Sequence, residues 1–266
     1  MPDQTALQNL ASEATLAFAG YLDSLLSRPA DRGRVLYRFT RNPSVKDAIE
    51  ACGVPHTEVN VILVNKQPVA FGYLLQAGDR VTVLPPRHPT EVPQYQWLAE
   101  QQLDQPRFIL DAHLGTLARK LRLLGFDCLY RNDYEDHEIA ALALTEQRTI
   151  LTRDRGLLKY ARIRSGLLIR EIETLRQTAQ VLNRYQLWDQ VEPLTRCITC
   201  NGLLARVAKE SILGLLEPLT RKMCQDFWRC RECGKIYWQG AHSGQIGLWL
   251  EKVRRFQQKD PARGGK

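Results

Sequence analysis

FILDAHLGTLARKLRLLGFDCLY, residues 108–130, sets the architecture of the larger half of this chain. Phe108-Ile109-Leu110 is a short apolar run ending at Asp111, as a buried strand does where it reaches solvent. Leu114, Leu117, Leu121 and Leu124 then recur at steps of three and four, the spacing of one helix face, and Gly125 closes the run. Asp127–Tyr130 reads as a second strand. Further on, residues 136–146 have helical character, Thr149-Ile150-Leu151-Thr152 forms a third strand and Leu167-Leu168-Ile169 a fourth, before a helix over 174–182. Strands alternating with helices predict a parallel sheet, with ligands at the C-terminal edge of its strands.

Acids stand where that edge would be. Asp111 follows the first strand, Asp154 follows the third in Thr152-Arg153-Asp154, and Asp136 opens the intervening helix. Neighbouring strand ends lie roughly 5 Å apart, so carboxylates gathered there repel unless a cation sits between them. Oxygen-only clusters of this kind suit Mg²⁺ or Mn²⁺, which can activate water against a phosphodiester. Each acid also has a plainer reading: Asp136 and Asp111 as helix caps, Asp154 as a turn residue before Gly156. Arg119 and Arg122 lie three apart on one helix, and Arg153 and Arg155 flank Asp154. All four are candidates for phosphate contact, against the alternative of an ordinary solvated face. His113 and His242 are weaker candidates for substrate contact.

Near the C-terminus, Cys197-Ile198-Thr199-Cys200 and Cys230-Arg231-Glu232-Cys233 form two knuckles, each followed by a residue that tolerates positive φ: Asn201 and Gly234. Four thiolates on two short loops suit a tetrahedral Zn²⁺, and the 29 intervening residues suffice for a small antiparallel ribbon. Two disulfides or idle thiols are the duller alternatives. Cys52, Cys128 and Cys224 lie singly, as buried thiols do in a reducing compartment, and a cytoplasmic protein is expected. No apolar run approaches the roughly 18 residues that cross a bilayer, and the N-terminus lacks the pattern of a signal peptide, so no membrane partner is expected.

The net charge of +8 is unevenly placed. Residues 1–195 hold 23 Lys and Arg against 23 Asp and Glu, whereas residues 196–266 hold 14 against 6. A basic C-terminal module in which Trp228, Tyr237 and Trp238 interleave with Arg221, Lys222, Arg229, Arg231 and Lys235 suits RNA phosphates and bases. A solubilising surface is the bland alternative.

The N-terminal part reads differently. Residues 14–18 and Arg34–Phe39 alternate as strands, Ser44 caps a helix with Asp47 at its third position and Gly53 as its stop, and 59–64 and 81–84 are further strands. Strand, strand, helix, strand, strand is the β-grasp order. NPSVKDAIEACGVPHTEVNVILVNKQPV (42–69) and LQAGDRVTVLPP (75–86) resemble the ubiquitin-like domain fused in front of certain Mut-seven C-terminal RNases. FILDAHLGTLARKLRLLGFDCLY and NDYEDHEIAALALTEQRTILTRDRGLL (132–158), with the cysteine knuckles, resemble that RNase family itself, a variant of the PIN nuclease fold with a zinc ribbon.

The resemblance implies a multi-domain α+β and α/β protein. Its parts are a β-grasp domain at 12–86, a linker at 87–106, a PIN-like parallel-sheet domain at 107–190, a zinc ribbon at 191–250 and a basic tail at 251–266. It implies a metal-dependent ribonuclease whose Asp111, Asp136 and Asp154 hold Mg²⁺ or Mn²⁺, with structural Zn²⁺ on Cys197, Cys200, Cys230 and Cys233. A non-catalytic RNA- or ribosome-binding adaptor is the alternative. PIN nucleases often carry a further acid just after the third position; Arg155-Gly156-Leu157-Leu158-Lys159-Tyr160 offers none, leaving Asp133 or Glu138 as substitutes. Related β-grasp proteins act through a free Gly-Gly terminus. Here Val83-Leu84 runs on into Pro85-Pro86-Arg87, and Gly264-Gly265-Lys266 is far from the domain, so a binding module with a protein partner is expected over a carrier.

Overall fold

The computed structural model describes residues 11–88, 90–99, 103–160, 162–238 and 241–257, with backbone alone at Tyr95 and 241–245. The terminal Gly264-Gly265-Lys266 and the His242 side chain lie outside the described residues. The chain divides into two compact units, one of Met1–Glu100 with Arg155–Ala161, the other of Gln101–Asp154 with Arg162–Lys266.

In the first unit, β1 (Ser12–Phe18) and β2 (Arg34–Phe39) pair antiparallel, α1 (Val45–Ala51) follows, and β3 (Val61–Val64), β4 (Gln67–Pro68) and β5 (Arg80–Leu84) complete a sheet of order β2-β1-β5-β3-β4. The central β1–β5 pair is parallel, with Leu16 opposite Val81, and this crossover makes the unit a β-grasp. Helix α1 starts as the sequence predicts: Ser44 Oγ accepts from Asp47 N at 3.1 Å, meeting one orphan amide of the first turn. Val45, Ala48 and Ile49 are its buried face. Gly53 takes φ 108° beyond the last turn, a conformation its missing Cβ permits. Asn65 and Lys66, both at positive φ, make the tight β3–β4 turn whose twist suits a hairpin.

The stretch read as a linker folds back on this unit, since Leu98 N donates to Asn60 O at 2.7 Å, after a short helical turn at Gln94–Gln96. Arg155–Ala161 also belongs here, with Leu157 and Leu158 fully buried and Lys159 Nζ donating to Glu50 O at 2.8 Å.

In the second unit β6 (Arg107–Leu110), α2 (Gly115–Leu123), β7 (Asp127–Tyr130), α3 (Asp136–Thr145), β8 (Thr149–Thr152), β9 (Gly166–Leu168) and α4 (Thr174–Arg184) alternate as the sequence predicts. All neighbouring strands are parallel, in the order β7-β6-β8-β9. Phe108 and Tyr185 are fully buried between sheet and helices, alongside Leu117, Leu121 and Leu182. Each such side chain contributes on the order of 1.5–3 kcal/mol through burial.

The C-terminal ribbon has three antiparallel strands, β10 (Leu204–Val207), β11 (Phe227–Cys230) and β12 (Ile236–Trp238). Between β10 and β11 a helical excursion ends in α5 (Pro218–Met223) and packs Ile212, Leu216 and Cys224 on Phe227. Helix α6 (Ala241–Arg254) then returns to the α/β core, where Val253 is fully buried. The tail expected from residue 251 is therefore in part a packed helix, with Trp249, Leu250 and Val253 against the α/β core.

Candidate active site and metal centre

The sheet order decides where chemistry can sit. Strand β6 connects through α2 to β7 on one side, while β8 leads to β9 on the other, so the chain diverges between β6 and β8. Ligand crevices form at such a switch point, outside the strands' C-terminal ends. Leu110 pairs with Leu151 across β6 and β8, which sets Asp111 beside Thr152 at that edge. Asp111 is buried and accepts three hydrogen bonds: from Thr152 Oγ1, from Arg153 N at 2.8 Å and from His113 N at 3.0 Å. Thr152 Oγ1 in turn accepts from Asp154 N at 2.8 Å. One hydroxyl thus joins the first acid to the loop that carries the third. Thr152 escaped the sequence reading, although a hydroxyl two residues ahead of an amide is a known turn device.

Asp136 and Asp154 are exposed. The cap of α3 is Glu135, whose amide donates to Glu138 at 2.9 Å, so capping leaves Asp136 free for another role and occupies Glu138. Partial burial, then the negative charges of Asp154 and Asp111, raise the pKa of Asp136 above its ordinary value. Asp136 therefore feels the charge of both other acids. They are not gathered as tightly as the cysteines, which among the described residues form the group whose ligand atoms all lie within 4.8 Å of each other. Asp133 is bound by Arg131 at 2.8 Å in an exposed pair.

The basic candidates separate. Arg119 on α2 and Arg153 are exposed. Arg155 is also exposed, but its Nη1 donates to Leu25 O at 2.8 Å within the first unit. Arg122 is a correction: it is 5% exposed and donates to Cys128 O through Nε (2.9 Å) and Nη2 (2.8 Å), and to Thr199 O through Nη1 (2.9 Å). A guanidinium so committed cannot take a phosphate. The spacing of three placed it beside Arg119, but a 60° offset around the helix separates a solvent position from a buried one.

The cysteines converge as predicted. Cys197 and Cys233 sulfurs lie 3.6 Å apart and those of Cys200 and Cys230 3.4 Å. A tetrahedron with bonds of about 2.3 Å has edges of about 3.8 Å, so the donor set fits one Zn²⁺. The two knuckles match: Asn201 and Gly234 both take φ 73°, and the amides of Cys200 and Cys233 each point at the preceding cysteine's sulfur at 3.5 Å. Burial opposes ionisation of Cys197, yet the Tyr237 hydroxyl at 3.0 Å and the amides of Cys200 and Thr199 outweigh it and draw the thiol down to about 6. Tyr237, read as an RNA contact, is thus turned onto a metal ligand. Trp238 stays 39% exposed and Arg229 and Arg231 are exposed.

Comparison with family models matches residues 106–249 to the Mut7-C RNAse domain and residues 11–91 to Mut7-C ubiquitin. No curated protein matches the chain. Two solved structures of small archaeal modifier protein 1 from Haloferax volcanii are similar over the first unit. One is 18% identical and covers 28% of this chain and 98% of that chain, with a TM-score of 0.23. The other is 17% identical and covers 30% and 99%, also with a TM-score of 0.23.

Proposed function

Because the chain belongs to the family of the Mut7-C RNase domain, we propose that it is a metal-dependent ribonuclease working at Asp111, Asp136 and Asp154. The observation that carries this is the placement of Asp111 and Asp154 on the edge between β6 and β8, near enough to Asp136 for their charges, after burial, to raise its pKa. It marks an edge where three carboxylates lie close enough for their charges to act on Asp136, a load that a divalent cation would relieve. Asp111 is the rigid anchor, its carboxylate held by three donors. Asp136 and Asp154 face solvent, where a hydrated ion and a phosphodiester have access. When bound, Mg²⁺ or Mn²⁺ supplies Lewis-acid activation of water and charge stabilisation at phosphorus. Arg153 and Arg119 are the exposed guanidiniums left to hold neighbouring phosphates.

Four thiols hold structural Zn²⁺ in this reading, and the basic C-terminal residues hold the RNA strand. Residues 107–190 form the catalytic module and 191–250 the ribbon, with α6 closing back on the core. The thiols must stay reduced to bind metal, which favours the cytoplasm. The β-grasp unit serves as a protein-binding module.

Incubation of the purified chain with labelled single-stranded RNA should give cleavage with Mn²⁺ or Mg²⁺. Asp111→Asn should lower its rate by about 10²–10³. Undiminished cleavage by that variant would remove Asp111 from the mechanism. The looser spacing of the three acids favours a second reading, an RNA-binding adaptor. In that case RNA binds with no cleavage under any metal, and equally well to Asp111→Asn.

A further inference from the structure

Strand β7 is the edge of the parallel sheet, with β6 on one side only. An edge strand leaves N–H and C=O groups without a ladder partner, and proteins cover such edges because they otherwise pair with other chains. At Cys128, fully buried in the middle of β7, both groups are met by side chains. Cys128 N donates to Asn201 Oδ1 at 2.9 Å, and Cys128 O accepts from Arg122 Nε and Nη2 at 2.9 and 2.8 Å. Asn201 also donates through Nδ2 to Asp127 Oδ1 at 2.8 Å, so it spans two residues of the edge much as a strand neighbour would.

These groups come from the first cysteine knuckle or are tied to it. Asn201 directly follows Cys200, and Arg122 reaches past the strand to Thr199 O and Ile198 O, between the two cysteines, at 2.9 and 3.3 Å. Arg196, just before Cys197, adds contacts to Asp127 Oδ2 at 3.3 Å and to Asn201 O at 3.1 Å. The knuckle's own backbone supplies few constraints: Cys197 N donates to Gly202 O at 2.8 Å and Asn201 N to Cys197 O at 2.9 Å. Beyond these bonds and the side-chain ties just named, the convergence of the four sulfurs holds Cys197 and Cys200 against Cys230 and Cys233.

We infer that the metal-loaded first knuckle is the missing neighbour of β7: zinc at the four cysteines locks Asn201 and Arg122 onto the edge of the nuclease sheet. The ribbon's metal then protects the β7 edge of the α/β core as well as the ribbon. Because β7 leads into the segment that carries Asp136, its loading also bears on the proposed acid site. The inference rests on the zinc reading, so metal content is measured alongside each arm.

The test is amide hydrogen exchange, resolved by residue, on the full chain. The arms are zinc-loaded wild type, chelator-stripped wild type and Asn201→Gly, a substitution that keeps the left-handed backbone open while deleting the cap. With zinc retained, Asn201→Gly should exchange the Cys128 amide about tenfold faster, the equivalent of one lost hydrogen bond, while Ile109 and Ile150 keep their protection. Stripping zinc from wild type should give the same acceleration across Asp127–Tyr130. Unchanged protection of Cys128 in either arm overturns the inference. So does uniform loss across β6, β7 and β8, which would make the metal a support of the whole unit. A chain that binds no zinc sinks the zinc reading itself, while Asn201→Gly still reports on the cap. Should that variant not fold, the stripped wild type decides alone.

Discussion

Two aspartates of this chain titrate in opposite directions, and each has a consequence for stability. Asp127 is partly buried. That opposes ionisation, but hydrogen bonds from Arg148 at 2.7 Å and Asn201 at 2.8 Å, with the charge of Arg196, hold its pKa below the ordinary 3.8. A lowered folded pKa means stability that is present above the unfolded value and lost as pH falls through the folded one. Arg148 is only 4% exposed and keeps Glu146 at 2.8 Å, so Asp127→Ala removes one of its two carboxylate partners and should cost about 1.5–3 kcal/mol at pH 7 by urea unfolding. The gap should close below pH 3.8 as the wild-type carboxylate protonates. Asp136 behaves oppositely. Its raised pKa means that stability is reduced at neutral pH and recovered as pH falls through that pKa. In buffer free of Mg²⁺ and Mn²⁺, Asp136→Asn should therefore raise stability at pH 7 by on the order of 0.5 kcal/mol after solvent screening, seen as a slightly higher Tm, with no gain at pH 3. A loss at pH 7 would show that Asp154 and Asp111 do not press on it. All three acids and their order are legible in the sequence. Which of them is held rigid is not, because Thr152 and the Arg153 amide meet Asp111 only across two strands.

At the scale of elements, helix α2 shows what periodicity can and cannot say. The leucine spacing predicts the helix and its buried face, and Leu117, Leu121 and Leu124 are fully buried. It gives no reason for glycine at its first residue. Gly115 has an ordinary φ of −59°, so no left-handed backbone requires it. A Cβ there would come 2.5 Å from the Tyr130 hydroxyl oxygen and 2.7 Å from the ring carbon bearing it. Tyr130 is fixed in turn by donating to Ala112 O at 2.9 Å, just after Asp111. Alanine is ordinarily worth about 1 kcal/mol over glycine in a helix. Here the clash should win, and Gly115→Ala should destabilise by about 1–2 kcal/mol in thermal melts. An increase in Tm would show that the Tyr130 ring gives way. Arg122 teaches the same lesson from the other side: helical spacing names its neighbours on α2, but the ribbon, about 75 residues downstream, decides its partner.

For the whole molecule, the uneven charge is a statement about binding. If the basic C-terminal residues hold RNA through about four phosphates, raising salt from 50 to 200 mM should weaken single-strand binding roughly 50-fold. Affinity that is flat with salt would detach the charge from the RNA. By itself the sequence determined the alternation of strands and helices in the β-grasp and parallel-sheet parts, the zinc-type knuckles with their left-handed residues, and the positions of the acids, since all of these depend on local spacing and backbone chemistry. Only the tertiary structure decided that Arg122 staples the ribbon to the core, that Arg155–Ala161 belongs with the β-grasp unit, and that α6 closes on the α/β core. Those choices turn on which buried donor meets which acceptor across long sequence separations, and no local pattern encodes that pairing.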